Sequence, residues 1–407
     1  MRKILVTGVP WSTGELVPAV RDAATLGARL VVVDVPAELD KVDSAIDCDR
    51  VAVSSFDPES VTCIASSVEP DQVVSITEMA MVCAAEVRKR LSLKGTPTPV
   101  ERAVSDKLVT RELLRRHGLT DVAYWPTTIA GVRRLVATLP LPVVVKPRAL
   151  TGSVGVRLVR DPADLDDFSR QYEPRVAAKF GRDRLLVEEF IPGVEISAEA
   201  MAVDGRLVLL ALTDKVNSGP PYFVEIGHTM PSRHTERWGA RVGDYLQRCV
   251  AALGIRTSPL HAELKLLPGS QVELVEVHTR YGGDNIIRLL EGASGYRAFE
   301  AYFAAVLDEV IPASPMARQA VGVGFFTGGV NHPFICGSLD FPHPDTIVEI
   351  DLDCQRRPKL LAYEGVRLRH WRAGHVLFAS QNQTKVQDNV AFIQSQFGAA
   401  TSGAGIP

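Results

Sequence analysis

Two glutamates near residue 270 carry the chemistry that is easiest to read in this chain. Leu260–Leu267 and Gln271–His278 read as a strand pair around Pro268-Gly269-Ser270, and a two-residue turn there would fix the register. If Pro268 pairs with Gln271, Glu263 faces Glu276 and His261 faces His278. All four then lie on one side of the sheet, because strand side chains alternate with a period of two. Like charges directly opposite destabilise a sheet unless something compensates them. A divalent cation would do so, and carboxylate oxygens suit Mg²⁺, which takes one or two protein carboxylates alongside phosphate oxygens and water. The alternative leaves both glutamates on a solvated face, paired with lysines such as Lys265.

Arg280 follows two residues after His278 and leads into Tyr281-Gly282-Gly283-Asp284. The glycines let backbone approach a ligand closely, and the guanidinium offers a planar donor fork to carboxylate or phosphate. This is an anion-and-metal pattern, or else a surface turn with a structural arginine. Upstream, Lys146 ends the apolar run Pro142–Lys146, where a charge is costly without an anionic partner. The loop behind it carries Thr151, Gly152, Ser153 and Gly155, whose N–H groups and hydroxyls suit phosphate oxygens.

The earlier loop GVPWSTGE, residues 8–15, lacks a phosphate-binding lysine, since Glu15 stands in its place. Only Gly8 and Gly14 of a dinucleotide fingerprint are present, although Asp34 follows Gly14 by twenty residues. A plain tight turn is the main reading, and a nicotinamide-dependent oxidoreductase is the alternative.

The elements that must position these residues follow from the apolar patterning. Lys3–Thr7, a helix over Glu15–Leu26 and a strand over Ala28–Val35 make a β-loop-α-β start, the beginning of a parallel sheet. Short runs follow at Arg50–Val53 and Gln72–Ile76. The segment KGTPTPVE at 94–101 marks a boundary, after which a helix runs from Ser105-Asp106-Lys107 to about His117, with Gly118 as its stop signal. Val156–Val159, Leu185–Phe190, Glu195–Val203 and Leu207–Thr213 read as strands, with Asp204-Gly205 a hairpin turn. Arg237–Leu253 and Arg297–Leu307 read as helices. Past Pro315 the pattern changes to short strand-like pieces.

With 407 residues, two or three domains are expected. Charges nearly cancel, 45 Lys plus Arg against 48 Asp plus Glu, with no basic run, which argues against a nucleic-acid partner. Six scattered cysteines without C-x-x-C suggest neither zinc nor a disulfide framework and fit a reducing cytoplasm. The longest uncharged stretch, Gln319–Leu339, holds five glycines, so no membrane span is expected.

In this order the residues resemble the ATP-grasp superfamily of carboxylate-amine ligases, over roughly Ser105 to Leu290. PYFVEIGHTMPS at 221–232 and EVHTRYGGD at 276–284 look most like its L-amino acid ligase branch. The resemblance implies a multidomain α/β and α+β protein: an N-terminal parallel-sheet domain over 1–104, an ATP-grasp domain over 105–315, and a C-terminal lid-like substrate domain over 316–407. It implies ATP and Mg²⁺, with Mn²⁺ as a substitute, small-molecule carboxylate and amine substrates, and an acyl-phosphate intermediate. A homodimer is the default expectation.

Carried over position by position, Lys107 and Lys146 would contact nucleotide phosphates, and Thr151 to Val156 would form the flap above them. Glu188, Glu189 and Ile191 would form the hinge that meets the adenine, and Glu195 would hold the ribose. Glu263 and Glu276 would bind the metal, and Arg280 the acyl phosphate. Tyr222, His228, Gly282, Gly283 and Lys215 would lie on the substrate side, with a core histidine as the other reading of His228. The family pattern Glu-x-Asn-x-Arg is broken by His278, which puts a direct metal contact from that position in doubt. Alternatives are an ATP-grasp ligase with a non-peptide product and an ATP-binding regulator without catalysis.

Overall fold

The apolar runs at the N-terminus form a parallel sheet in the order β3-β2-β1-β4, from β1 (Arg2–Thr7), β2 (Ala28–Asp34), β3 (Asp49–Ala52) and β4 (Gln72–Val74). Val6 lies beside Val32 on one side and Val74 on the other. The run is apolar throughout because both faces are covered. Leu5, Val31 and Val33 pack toward the helices Pro58–Val68 and Met81–Arg90, while Ile4, Val6 and Val32 share a core with the helices Ile286–Ser294 and Ala298–Asp308. The computed structural model describes residues 1–10, 12–153, 155–166, 168, 184–220, 223, 225–308, 310–327, 340–352 and 372–403.

A second sheet, antiparallel, is ordered β5-β8-β6-β7, from β5 (Tyr124–Thr128), β6 (Val143–Pro147), β7 (Arg157–Val159) and β8 (Arg184–Glu189). The helix Ile129–Val136 covers it through Val132 and Val136. β5 and this helix have no counterpart in the sequence reading, since Pro126 interrupts the strand and the helix is short.

The third sheet has eight strands: β9 (Val194–Val203), β10 (Arg206–Asn217), β11 (Glu225–Met230), β12 (Ser258–Leu267), β13 (Gln271–His278), β14 (Ala320–Thr327), β15 (Ile347–Leu352) and β16 (Arg372–Ser380). Their order is β13-β12-β9-β10-β11-β14-β16-β15. The helix Thr235–Leu253 buries Val242, Leu246, Cys249 and Val250 against its face, and Gly254 ends the helix in the left-handed region at φ 76°. The described part of 316–407, expected as a lid-like unit, extends this sheet: β14, β16 and β15 continue it beyond β11, and the helix Gln383–Gly403 packs across β11, β14 and β16.

The β12–β13 turn differs from the sequence reading in a useful way. The connection has three residues, with Leu267 opposite Gln271 and Gly269 at φ 72°. The assumed pairing of Pro268 with Gln271 is therefore one residue off. A bulge on β13 between Leu274 and Glu276 restores the offset, so Glu263 does face Glu276 and His261 does face His278.

Candidate active site

The second and third sheets, with the segments that follow β1 and β4 of the first, contribute side chains to one cavity of about 370 Å³. At one end, Lys107 opens the helix Lys107–Arg116, whose N-cap Asp106 accepts from the Leu108 N–H. Its Nζ lies 2.7 Å from Glu276 Oε1 and donates to the Leu150 carbonyl at 2.6 Å. Lys146, on β6, is buried and paired with Glu188 on β8; Arg111 holds the other Glu188 oxygen at 2.7 Å and reaches Glu273 at 2.7 Å. Burial pushes the Glu188 carboxyl up, but Lys146 and Arg111 hold it below the usual range. The anionic partner that a buried Lys146 requires is thus present.

Around these lysines, Thr151, Gly152, Ser153 and Val156 line the cavity, as do Glu189, Phe190 and Ile191. Phe190 stacks on Phe223 with ring centroids 6.4 Å apart. Glu189 donates its backbone N–H to the Ala123 carbonyl at 2.9 Å, which ties the end of β8 to the start of β5.

The paired glutamates lie at the centre. Lys215 reaches Glu263 and Glu225 at 2.6 Å each and Glu195 at 3.2 Å, while Lys265 holds the other Glu195 oxygen at 3.0 Å. Burial lowers the Lys215 ammonium, yet Glu225, Glu263 and Glu195 hold it well above its ordinary value. Burial likewise raises the Glu263 carboxyl, but Lys215 and His261 bring it down to about 2. The lysines that compensate the two metal candidates are therefore Lys215 and Lys107; Lys265 serves Glu195 instead.

Each of the two glutamates also meets a histidine with a second acid behind it. His261 Nδ1 lies 2.7 Å from Glu199 Oε1 and its Nε2 3.8 Å from Glu263, and burial is outweighed by these acids, so its value rises to about 10. His278 Nδ1 lies 2.5 Å from Glu78 Oε2 and its Nε2 3.0 Å from Glu276 Oε1. The two rings stack at 6.2 Å. Since both His278 nitrogens face carboxylates, the hairpin oxygens that could hold a metal are those of Glu263 and Glu276. Glu78 also accepts from Arg280 Nε at 3.1 Å.

Nine carboxylates line the cavity against four lysine or arginine side chains and three histidines. An acid surplus around two paired glutamates fits an oxygen-coordinated divalent cation. Glu263 and Glu276 are the residues that would hold it.

Not every sequence-derived candidate lines the cavity. His228 and Gly283 do; Lys215 sits beneath the floor, and Gly155 and Gly282 are absent from the lining. Gly282 serves packing: its N–H approaches Glu199 at 3.4 Å, and a Cβ there would lie 2.6 Å from His261 Nδ1. Tyr222 lies outside the described residues. The sequence reading missed Glu78, Glu199, Arg111 and Glu225. Glu15, read there only as a missing lysine, lines the cavity opposite Arg280. Burial raises its carboxyl to about 7, with Arg280 pulling it back.

Residues 139–288 match the ATP-grasp domain family. The chain contains an ATP-grasp domain. Around that domain the chain is similar to carnosine synthase 1 of Gallus gallus, 27% identical over 63% of this chain and 29% of that protein. It is also similar to the alanine–anticapsin ligase of Bacillus subtilis (strain 168), 23% identical over 56% of this chain and 52% of that one. The matched region thus spans about half or less of these relatives. The crystal structure of an L-amino acid ligase from Bacillus licheniformis superposes with a TM-score of 0.77 at 20% identity, covering 97% of this chain and 98% of that one. That likeness in fold covers all three sheets. No described helix is long and apolar enough to cross a membrane.

Proposed function

We propose that this chain is an ATP- and Mg²⁺-dependent ligase that joins a carboxylate to an amine, with amino acids or closely related metabolites as substrates. The observation that carries the reading is the convergence in one cavity of Lys107 and Lys146, the paired Glu263 and Glu276, and Arg280. The named activities of the two similar ligases support it.

In this reading the Glu189 carbonyl and Ile191 meet the adenine, between Phe190 and Phe223, and Glu195 takes the ribose hydroxyls. Lys107, Lys146 and the loop from Thr151 to Val156 hold the phosphates. The substrate carboxylate attacks the terminal phosphorus of ATP, ADP leaves, and an acyl phosphate forms. Arg280, held by Glu78, neutralises its developing charge. A cation at Glu263 and Glu276 would supply charge neutralisation of the phosphate oxygens. The amine then attacks the acyl carbon, and phosphate departs from the tetrahedral intermediate. The work is positioning and charge neutralisation, with water excluded because an acyl phosphate hydrolyses.

The test is ADP release from ATP and Mg²⁺ with pooled amino acids, followed by mass spectrometry. Expected is pool-dependent ADP together with a product whose mass equals two pool members minus water, and Glu263→Gln should lower turnover by about 100-fold or more. Failure to bind ATP, or full activity in Glu263→Gln, would sink the nucleotide or the metal assignment respectively.

A further inference from the structure

We propose that Glu78 is a positioning residue for the reaction. From the N-terminal sheet, its one carboxylate sets both Arg280, the arginine at the phosphate end, and Glu276, whose carboxylate would hold the cation. The proposal rests on the ligase reading above and adds a residue to it.

The turn that carries Glu78 is tied down on every side. It follows β4, where the Ser75 hydroxyl lies 2.9 Å from the carbonyl oxygens of both Thr7 and Thr77 and accepts the Thr77 N–H at 3.2 Å. The Thr7 hydroxyl, at the end of β1, lies 3.3 Å from the Val74 carbonyl and 3.4 Å from that of Ala80. Thr7, Ser75, Thr77 and Ala80 are all buried. Gly8, at φ 80°, lets the two loops close on each other, since a Cβ there would lie 2.8 Å from Ala80 Cβ.

From that turn, Glu78 Oε2 accepts from Arg280 Nε at 3.1 Å and lies 2.5 Å from His278 Nδ1. His278 Nε2 in turn lies 3.0 Å from Glu276 Oε1. Arg280 Nη1 donates to the Tyr281 carbonyl at 2.9 Å, and the two bonds together fix the plane of the guanidinium. Thr279, between His278 and Arg280, is gripped elsewhere: its hydroxyl donates to Glu101, and its carbonyl accepts from the Ser258 hydroxyl at 2.6 Å. Glu78 itself is 19% exposed and lines the cavity beside Arg280, His278 and Glu276.

The consequence follows from what the chemistry demands. Phosphoryl transfer is positioning and charge neutralisation, and a misplacement of about 1 Å at such a site costs about 100-fold in rate. A free arginine side chain has many rotamers; one held at both Nε and Nη1 has few. Carboxylates that bind a metal are likewise held by outer hydrogen bonds, which set their orientation. Glu78 serves both needs through one oxygen, so Arg280 and the His278–Glu276 pair are referred to the same point on the N-terminal sheet.

With the substrate pair from the ADP screen, Glu78→Gln should lower kcat for ADP release by about 100-fold and leave the KM of ATP and of the amine within about 3-fold. Hydroxylamine traps an acyl phosphate as hydroxamate, and hydroxamate and amide should fall together, because the defect lies at the phosphate. Mn²⁺ titrated into the protein with ADP, read by electron paramagnetic resonance, should bind about 10-fold more weakly. Glu78→Asp keeps the charge but draws the carboxylate back by one methylene; it should be impaired within about 3-fold of Glu78→Gln, and it carries the test if the glutamine variant does not fold. ADP should bind both variants at full stoichiometry. Wild-type kcat in either variant, or unchanged Mn²⁺ binding, overturns the proposal. So does a loss confined to the amide or to the KM of the amine, which marks a substrate contact, and so does a fall in ADP stoichiometry that matches the fall in kcat, which marks a purely structural role. Wild type that releases no ADP with any pool refutes the ligase reading itself.

Discussion

At the residue scale, charge burial decides which side chains are free to act. Glu188 lies within the hinge motif, but its side chain is fully occupied between Arg111 and Lys146. Any effect on a bound nucleotide would therefore be exerted through Lys146, which it holds at the cavity wall. Glu188→Gln would leave two buried cations short of a partner, and breaking a buried pair in this way costs about 3–5 kcal/mol. The expected result is that loss in urea denaturation, together with weaker ATP binding by titration calorimetry. The pH dependence has a definite sign. Because the folded-state value of Glu188 is held below its ordinary one, its stabilisation is complete above the unfolded value, about 4.3. It is lost as pH falls through the folded value, and the glutamine variant should lose less stability than wild type on acidification. Equal acid sensitivity of the two proteins would show that Glu188 is not the anion this pocket depends on.

At the element scale, the helix Thr98–Val104 joins the parallel sheet to the end of the β12–β13 hairpin through one buried acid. Glu101 accepts a short hydrogen bond from Thr279, the residue before Arg280, and lies 3.7 Å from Arg88. Burial raises its carboxyl to about 7, with Arg88 pulling it back. A raised folded-state value means stability falls as pH rises from the unfolded value to the folded one. Glu101→Gln should remove that slope. The variant should gain on wild type between pH 5 and pH 8 by on the order of 3 kcal/mol, read by urea denaturation at both values. A constant difference across that range would refute the assignment. The same scale shows what the sequence can and cannot reveal. Apolar patterns placed β9, β12 and β13 to within two residues and β10 four residues short at its end, and paired glutamates at matched positions pointed to the site. The bulge at Val275 and the three-residue turn were invisible, because neither alters the apolar pattern, and their offsets cancel at Glu263 and Glu276. Glu78 was invisible for another reason: it lies 200 residues from His278, and nothing local marks it. Glu225 was hidden by strand periodicity itself, since only the irregularity on β10–β11 turns it toward His228.

At the scale of the whole molecule, the C-terminal segment belongs to the central sheet. β14 pairs with β11 from Gly227–Gly324 to Met230–Val321, and the helix Gln383–Gly403 lies against both strands. The close approach depends on missing side chains. A Cβ on Gly322 would lie 2.6 Å from Val386 Cγ1, and one on Gly324 would strike Ile393. Gly322 and Gly324 therefore make room for a helix. Together with Phe326, Phe341, Phe378, Val390 and Ile393, this layer buries Ile226 of β11 completely. Removing residues 316–407 would expose the β11 edge and an apolar face that this packing stabilises by on the order of 10 kcal/mol, which is comparable to the net stability of a typical domain. An unpaired apolar edge is also a template for aggregation. A chain ending at residue 315 should accumulate in the insoluble fraction, and any soluble part should bind a hydrophobic dye and unfold without a cooperative transition. A detachable lid behaves oppositely: its removal would leave a soluble protein that unfolds cooperatively and still binds ATP. His228, on β11, lies between β10 and β14 in this sheet, so its placement depends on the chain beyond residue 315.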